Sequence, residues 1–295
     1  METVSACLIC NSQSLNPFLE CKDYTISKEQ FSIMQCASCG FRFTSPRPEE
    51  AKAGAYYQSK DDFSYTSRGL INFICQRVRK LSLRKKLEWV VSASGKQQGK
   101  LLDMYCGTGE FLNICKQNRW TVQGIEPLAL AREFASKQYG LDVKDTGLWS
   151  SFSDNTFDVV TAWHVLEQVY DIEGTLKQVK RILTSNGVFI IALPNCSSAD
   201  AEFYGKYWAA YDVPRHIWHF TPAHVKTYFE KNGFKLESVL PMPYDAYYTS
   251  ILSEKYKGGN VNYGRAIVHG YFSNSNAAEK GDTYSGQVYI LRPVK

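Results

Sequence analysis

Leu101-Leu102-Asp103-Met104-Tyr105-Cys106-Gly107-Thr108-Gly109-Glu110-Phe111 is the stretch on which the fold turns. An apolar run ends in a carboxylate, and a turn with two glycines then enters a segment of helical periodicity. The glycines let backbone approach a ligand, and the start of the helix offers free N–H groups. A dinucleotide-binding turn would continue to a third glycine, where Leu112 stands here, and would not end its first strand in an acid. Asp103 facing the turn suits a cationic ammonium, not a pyrophosphate.

Outward from this turn the chain alternates strand and helix. Thr121-Val122-Gln123-Gly124-Ile125 reads as a strand, and 128–139 as a helix. Phe157-Asp158-Val159-Val160 and Val188-Phe189-Ile190-Ile191-Ala192 are further strands, with a helix at 172–183 between them. Asn186-Gly187 is expected to stop that helix in a left-handed turn. Such alternation implies a parallel sheet with helices on both faces. Glu126 follows the second strand, 23 residues after Asp103, where an acid can hold both hydroxyls of an adenosine ribose.

The set Asp103, Gly107, Gly109 and Glu126 resembles the class I S-adenosylmethionine-dependent methyltransferases, whose first motif runs roughly D-x-G-x-G-x-G. The similarity continues through Phe157-Asp158-Val159-Val160, His164-Val165-Leu166-Glu167, Arg181-Ile182-Leu183 and Leu193-Pro194-Asn195, over residues 99 to about 240. It implies an α/β, Rossmann-like methyltransferase fold with a seven-stranded sheet whose last strand is antiparallel. It further implies S-adenosylmethionine as methyl donor, with Asp103, Gly107 and Gly109 around its methionine end and Glu126 on the ribose. Tyr105 departs from the pattern, which has glycine there. A side chain at 105 can crowd the ligand, yet the 5-methyluridine RNA methyltransferases carry a similar D-L-Y-C-G-x-G string, so Tyr105 is kept among the cofactor-binding residues.

His164 follows the strand that begins at Phe157, at the carboxyl edge where open α/β sheets bind ligands. It is the candidate catalytic residue, a site-lining side chain able to act as a base where the acceptor must lose a proton. Two insertions are expected near that edge. Residues 196–220 carry Phe203, Tyr204, Tyr207, Trp208, Tyr211 and Trp218. Residues 241–286 carry Tyr244, Tyr247, Tyr248 and Tyr256 as a long loop between the last two strands. Both are expected to roof the acceptor site, because a methyl in transit must be shielded from water. His216, His219 and His224 form a poor metal set, since nothing fixes their geometry.

Before the α/β region, Cys7-Leu8-Ile9-Cys10 and Cys36-Ala37-Ser38-Cys39 make two matched C-x-x-C turns separated by 25 residues. Each pair is followed by a residue that tolerates positive φ, Asn11 or Gly40. Four thiolates on two knuckles suit one tetrahedral zinc ion. Phe31 and Ile33 before the second pair, and Phe41 and Phe43 after it, alternate as hairpin strands do. Cys21 reads as a small core residue. The expected organisation is a zinc-ribbon domain at 1–48 with its own core, a helical linker or cap at 49–98, and the cofactor-binding domain at 99–295. The linker carries apolar residues at helical spacing, from Leu70, Ile74, Val78 and Leu81 to Leu87, Val90 and Val91. Its basic run, Arg77, Arg79, Lys80, Arg84, Lys85 and Lys86, reads as a solvated helix face.

The whole chain of 295 residues has the 44% hydrophobic and 21% charged composition of a globular protein. No apolar run reaches the ~18 residues of a membrane span. No basic stretch followed by an apolar core opens the sequence, and a cytoplasmic protein is expected. A net charge of +5 permits an anionic substrate without requiring nucleic acid. The leading expectation is a methyltransferase acting on a small-molecule acceptor. The cysteine module before such a domain also resembles sugar C-methyltransferases, and His164–Glu167 resembles quinone-type O-methyltransferases. The alternatives are a zinc-ribbon RNA methyltransferase, whose basic run would contact phosphates, and a zinc-ribbon adaptor without catalysis.

Overall fold

The computed structural model describes residues 1–57, 70–281 and 283–294, and of residues 70–79 the backbone alone. Leu70, Ile74 and Val78 of the apolar stripe, and Arg77 and Arg79 of the basic run, therefore lie outside the described side chains.

The chain opens with strands β1 (Leu15–Lys22), β2 (Gln30–Cys36) and β3 (Arg42–Thr44), the short helix α1 (Glu50–Ala53) and the long helix α2 (Leu70–Ser94). Strand and helix then alternate, except that only a 3₁₀ segment (Thr146–Ser151) separates β6 from β7: β4 (Lys100–Met104), α3 (Glu110–Gln117), β5 (Thr121–Ile125), α4 (Ala129–Tyr139), β6 (Val143–Lys144), β7 (Phe157–Trp163), α5 (Ile172–Ile182) and β8 (Leu183–Pro194). After β8 come α6 (Ala199–Tyr204), β9 (Trp218–His219), α7 (Pro222–Lys231), β10 (Phe234–Pro241), α8 (Pro243–Gly258), α9 (Tyr263–Lys280) and β11 (Gly286–Pro293).

Seven strands form one sheet in the order β10-β11-β8-β7-β4-β5-β6. From β8 to β6 the pairing is parallel, whereas β11 is inserted antiparallel between β8 and β10. The expected Rossmann-like methyltransferase sheet, including its antiparallel last strand, is the one found. Its central strands are buried on both faces, and the two-residue period sorts their side chains. Leu102, Met104, Val160, Ala162, Phe189, Ile191 and Tyr289 enter one core. Leu101, Val159, Val188, Ile190 and Val288 enter the other. Helix α5 shows how a cover helix is specified. Asp171 caps it by accepting from Gly174 N–H at 2.8 Å, and Ile172, Leu176, Val179 and Ile182 form its buried stripe. Each such side chain contributes about 1.5–3 kcal/mol on burial.

Three expectations are corrected. Asn186-Gly187 does not stop α5. The helix ends at Ile182, Leu183 is already extended (φ −69°, ψ 137°), and both residues lie inside β8, without positive φ. Pairing of Leu183 with Phe157 starts the strand at once. Residues 241–286 are not a loop but the packed helix pair α8 and α9. The N-terminal module does not have a core of its own. Its antiparallel sheet runs β1-β2-β3-β9 and takes its fourth strand from the 196–220 insertion. Cys7, Ile9, Cys36, Phe41 and Phe43 pack into the same cluster as Leu102, Val160 and Phe189. Cys21 is buried with Phe31, Ile33, Trp208 and Tyr211, as a core residue.

Candidate active site

The central strands end at one edge, and the turns that leave them carry the sequence-predicted residues. Asp103, in register with Thr161 of β7, is buried and accepts a hydrogen bond from Thr161 Oγ1 at 2.6 Å. Burial pushes its carboxyl up to about 7, against the opposing effects of that hydrogen bond and of the Lys86 ammonium. Beyond it, Tyr105 (φ +52°), Gly107 (φ +54°) and Gly109 (φ +79°) are all left-handed. Such a turn accounts for the glycine that the resembling motif has at this position. Tyrosine pays roughly 1–2 kcal/mol for this conformation, and its half-buried ring packs against the core instead of filling the turn.

Gly107 has open space where a Cβ would stand, so its backbone is accessible to a ligand. At Gly109 an added Cβ would lie 2.5 Å from Leu141 Cδ1 and 3.1 Å from Ala135 Cβ, so a side chain there would have to displace Leu141 and press on α4, in a left-handed conformation that already favours glycine. Gly107 N–H donates to Glu126 Oε2 and Leu128 N–H to Oε1, both at 2.9 Å, so one carboxylate ties the turns after β4 and β5 together. Burial raises the Glu126 carboxyl, and the two N–H donors act against that. Asp103, Tyr105, Gly107, Gly109 and Glu126 thus share one edge of the sheet, and the acid, the open glycine and the second acid fit an adenosyl sulfonium.

His164 leaves β7 in a left-handed turn (φ +57°). Its Nε2 lies 3.3 Å from Asp245 Oδ2 of α8, and its Nδ1 lies 3.7 Å from Glu167 Oε1. Burial pulls the ring toward neutrality, but the two carboxylates outweigh it and push its pKa up to about 9. The two carboxylates therefore favour the protonated ring. The side chain borders a cavity of about 830 Å³ that is also lined by Tyr24 and Tyr57 from the N-terminal part, Arg215 and His216 from the first insertion, and Tyr256 from α8. Both insertions thus close over the cavity beside His164.

Sequence reasoning missed several of the charged groups here. Arg215 is buried and bridges Asp212 at 2.6 Å and Asp23 at 3.0 Å, while donating to the carbonyl of Tyr56. Although burial opposes it, three backbone N–H groups and Arg215 hold the Asp23 carboxyl down at about 2. This network links the turn after β1 to the cavity wall across 192 residues of sequence, a separation at which no local pattern gives warning. Of the basic run, Lys80, Arg84 and Lys85 are exposed as a solvated face. Lys86 instead turns inward over the Trp163 ring, 4.5 Å from its centroid.

The four cysteine sulfurs of Cys7, Cys10, Cys36 and Cys39 lie within 4.8 Å of one another, with Cys7–Cys39 and Cys10–Cys36 at 3.5 Å. Asn11 N–H donates to the Cys7 carbonyl and Gly40 N–H to that of Cys36, each at 2.9 Å, so the two knuckles repeat one geometry. Despite burial, the N–H groups of Cys39 and Ser38 hold the Cys36 thiol down at about 6, while burial raises Cys7. Among the described residues this is the one group of metal-binding side chains brought together. The histidine set is dispersed: His216 faces Ala210, His219 faces Thr44, and His224 faces Cys39 and Thr221.

A doubly wound sheet with this turn chemistry defines a nucleoside-binding α/β enzyme of the methyltransferase type. A family model described as a methyltransferase domain matches residues 70–239, more than half of the chain, and the chain belongs to that family. It is an S-adenosylmethionine-dependent methyltransferase. Among solved structures it is similar to a protein from Galdieria sulphuraria described as a sarcosine dimethylglycine methyltransferase (13% identity, TM-score 0.52, covering 74% of this chain and 88% of that one). It is also similar to geranyl diphosphate C-methyltransferase from Streptomyces coelicolor A3(2) (12% identity, TM-score 0.51, covering 79% and 90%). At these identities the likeness is one of fold. No curated protein sequence matches the chain. Among the described residues, no helix is long and apolar enough to cross a membrane.

Proposed function

We propose that the enzyme methylates a small molecule held in the cavity bordered by His164, His216 and α8, and that Asp103, Tyr105, Gly107, Gly109 and Glu126 hold the methyl donor. The observation that carries this reading is the cavity itself. Its volume of about 830 Å³ suits a metabolite, within the several hundred Å³ usual for small-molecule sites. The five tyrosines lining it, Tyr24, Tyr56, Tyr57, Tyr248 and Tyr256, offer flat faces with polar tips, which suits a ring-shaped acceptor such as a sugar or a quinone-like molecule. Bound S-adenosylmethionine supplies an electrophilic methyl on a sulfonium. The chain's part is to place the acceptor against it and to exclude water.

Glu126→Ala is expected to weaken S-adenosylhomocysteine binding by about 1.5–3 kcal/mol, the scale of hydrogen bonds to a charged group, as read by calorimetry. A wild-type protein that gives no binding isotherm with either cofactor form would end the reading. For the acceptor side, Tyr256→Ala should raise the acceptor KM in a methyl-transfer screen without changing cofactor affinity.

We further infer that Cys7, Cys10, Cys36 and Cys39 hold one zinc ion. Zn–S bonds of about 2.3 Å give a tetrahedron with sulfur–sulfur edges of ~3.8 Å, close to the spacings found. The reading includes a cytoplasmic setting, where such thiols stay reduced.

A further inference from the structure

We propose that His216, and not His164, takes the proton released by the methyl acceptor, and that the buried carboxylate of Glu167 is a positioning residue whose charge faces both imidazoles. The proposal rests on reading the cavity as the acceptor site.

The two rings differ in what faces their nitrogens. His216 Nδ1 lies 2.9 Å from the carbonyl oxygen of Ala210. A carbonyl can only accept, so Nδ1 carries the hydrogen and the neutral ring has its lone pair on Nε2. That Nε2 lies 3.8 Å from Glu167 Oε1 and 3.9 Å from Asp212 Oδ2, beyond hydrogen-bond reach of either, on a residue that lines the cavity. His164 stands between two carboxylates, with Nε2 3.3 Å from Asp245 and Nδ1 3.7 Å from Glu167, the latter beyond hydrogen-bond reach, and their combined charge favours the doubly protonated ring. In that form its ring can donate a hydrogen bond or offset negative charge, and has no lone pair to accept a proton.

Glu167 explains why the two rings act as a pair. It sits on the 3₁₀ turn Leu166–Gln168, its side chain is 1% exposed, and neither carboxylate oxygen has a hydrogen-bond partner. A buried carboxylate without donors is costly unless positive charge stands beside it. The His164 cation supplies part of that charge. An imidazolium formed on His216 completes it, so the carboxylate favours the proton's arrival on Nε2. The backbone is tied as well, because Ile217 N–H donates to the Glu167 carbonyl at 2.8 Å, next to His216. The other charged groups facing the pair are Asp245 from α8, and Asp212 and Arg215 from the first insertion. Burial, with His216 and Arg42 nearby, pushes the His219 pKa down and favours its neutral form.

In the step itself, the acceptor's bond to hydrogen breaks and the proton moves to His216 Nε2. The electron pair stays on the acceptor atom and forms its bond to the methyl. The carbon–sulfur bond of the donor breaks with its pair kept by sulfur, so the positive charge passes from sulfonium to imidazolium. The imidazolium then releases the proton to water.

The test needs no knowledge of the acceptor. Long-range proton–nitrogen NMR of the full chain at pH 7.5, assigned with His164→Gln and His216→Gln, reads which nitrogens carry hydrogen. The expected result is a protonated Nδ1 and bare Nε2 for His216, and two protonated nitrogens for His164. A hydrogen on His216 Nε2, or a bare nitrogen on His164, overturns the assignment. Glu167→Gln should lower the His164 titration midpoint by about one pH unit or more, the scale of one nearby opposite charge, with S-adenosylhomocysteine affinity unchanged. An unmoved midpoint overturns the role of Glu167. Failure of the acceptor-site reading would appear separately, as methyl transfer that Tyr256→Ala leaves untouched, and the imidazole signals do not depend on that outcome.

Discussion

Asp103 brings an ionisable group into an apolar setting at the end of the central strand, and the consequence is a pH-dependent stability. Its folded carboxyl titrates near 7, whereas an unfolded aspartate titrates near 3.9. Between those values the folded protein holds a proton that the unfolded chain has lost. Stability is therefore full below about pH 4 and falls as pH rises through 7, by about 1.4 kcal/mol for each unit of that window. Asp103→Asn is expected to remove this slope, which denaturant midpoints at pH 5 and pH 7.5 would read. Equal slopes in variant and wild type would show that the carboxyl is not the source. A cationic ligand group beside Asp103 favours its ionised form, so affinity for S-adenosylmethionine should rise with pH up to about 7. At this scale the sequence was informative where chemistry and local geometry coincide: Asp103, Gly107 and Gly109 are read from one turn. Glu167, Asp212 and Asp245 were not legible as a set, because three separate elements bring them to the two histidines.

The elements that were legible are those whose burial is periodic. Strand β8 is apolar on both faces and α5 has a single stripe, so each announces its type. Helices α8 and α9 do not. Their buried positions are small or polar, Ala246, Thr249, Ser250 and Ser253 in one and Ala266, Gly270, Ser273 and Ala277 in the other. Close packing of two such faces, with Gly270 against Tyr247, leaves no hydrophobic period to read. Strand β9 is two residues long, and its partner in β3 stands about 175 residues earlier, so no local pattern could reveal the shared sheet. That sharing changes what loss of a cysteine from the proposed zinc site does. Cys7 sits in a core common to both parts, and Cys39 receives His224 through its carbonyl. Elemental analysis should find one zinc per chain. Cys7→Ser should expose to protease not only residues 1–48 but also the insertion around Trp218 and His219. Cleavage confined to the N-terminal residues would restore the picture of an independent domain.

Across the whole molecule, the roof of the cavity is held by one buried acid. Asp200 is 1% exposed and accepts three hydrogen bonds, each 2.7 Å long, from Trp208 Nε1, Ser273 Oγ and Ser285 Oγ. These donors belong to the first insertion, to α9 and to the residue that precedes β11, so a single carboxylate joins both insertions to the antiparallel end of the sheet. Neighbouring bonds act in the same direction: Ser253 Oγ accepts from Ala209 N–H at 2.9 Å, and Tyr204 OH donates to Glu254 at 3.2 Å. Asp200→Ala would leave three buried donors unsatisfied at about 1–3 kcal/mol each before relaxation, and the helix pair should loosen first because it packs on small residues. Hydrogen exchange is therefore expected to quicken across residues 199–220 and 243–280 while β4, β7 and β8 stay protected. Affinity for S-adenosylhomocysteine should be unchanged, since Gly107 and Glu126 lie at turns that this clamp does not touch, whereas the acceptor KM should rise because Tyr248 and Tyr256 lose their support. A variant in which exchange quickens uniformly, central strands included, would mean that Asp200 stabilises the fold as a whole and that the roof does not move as a unit.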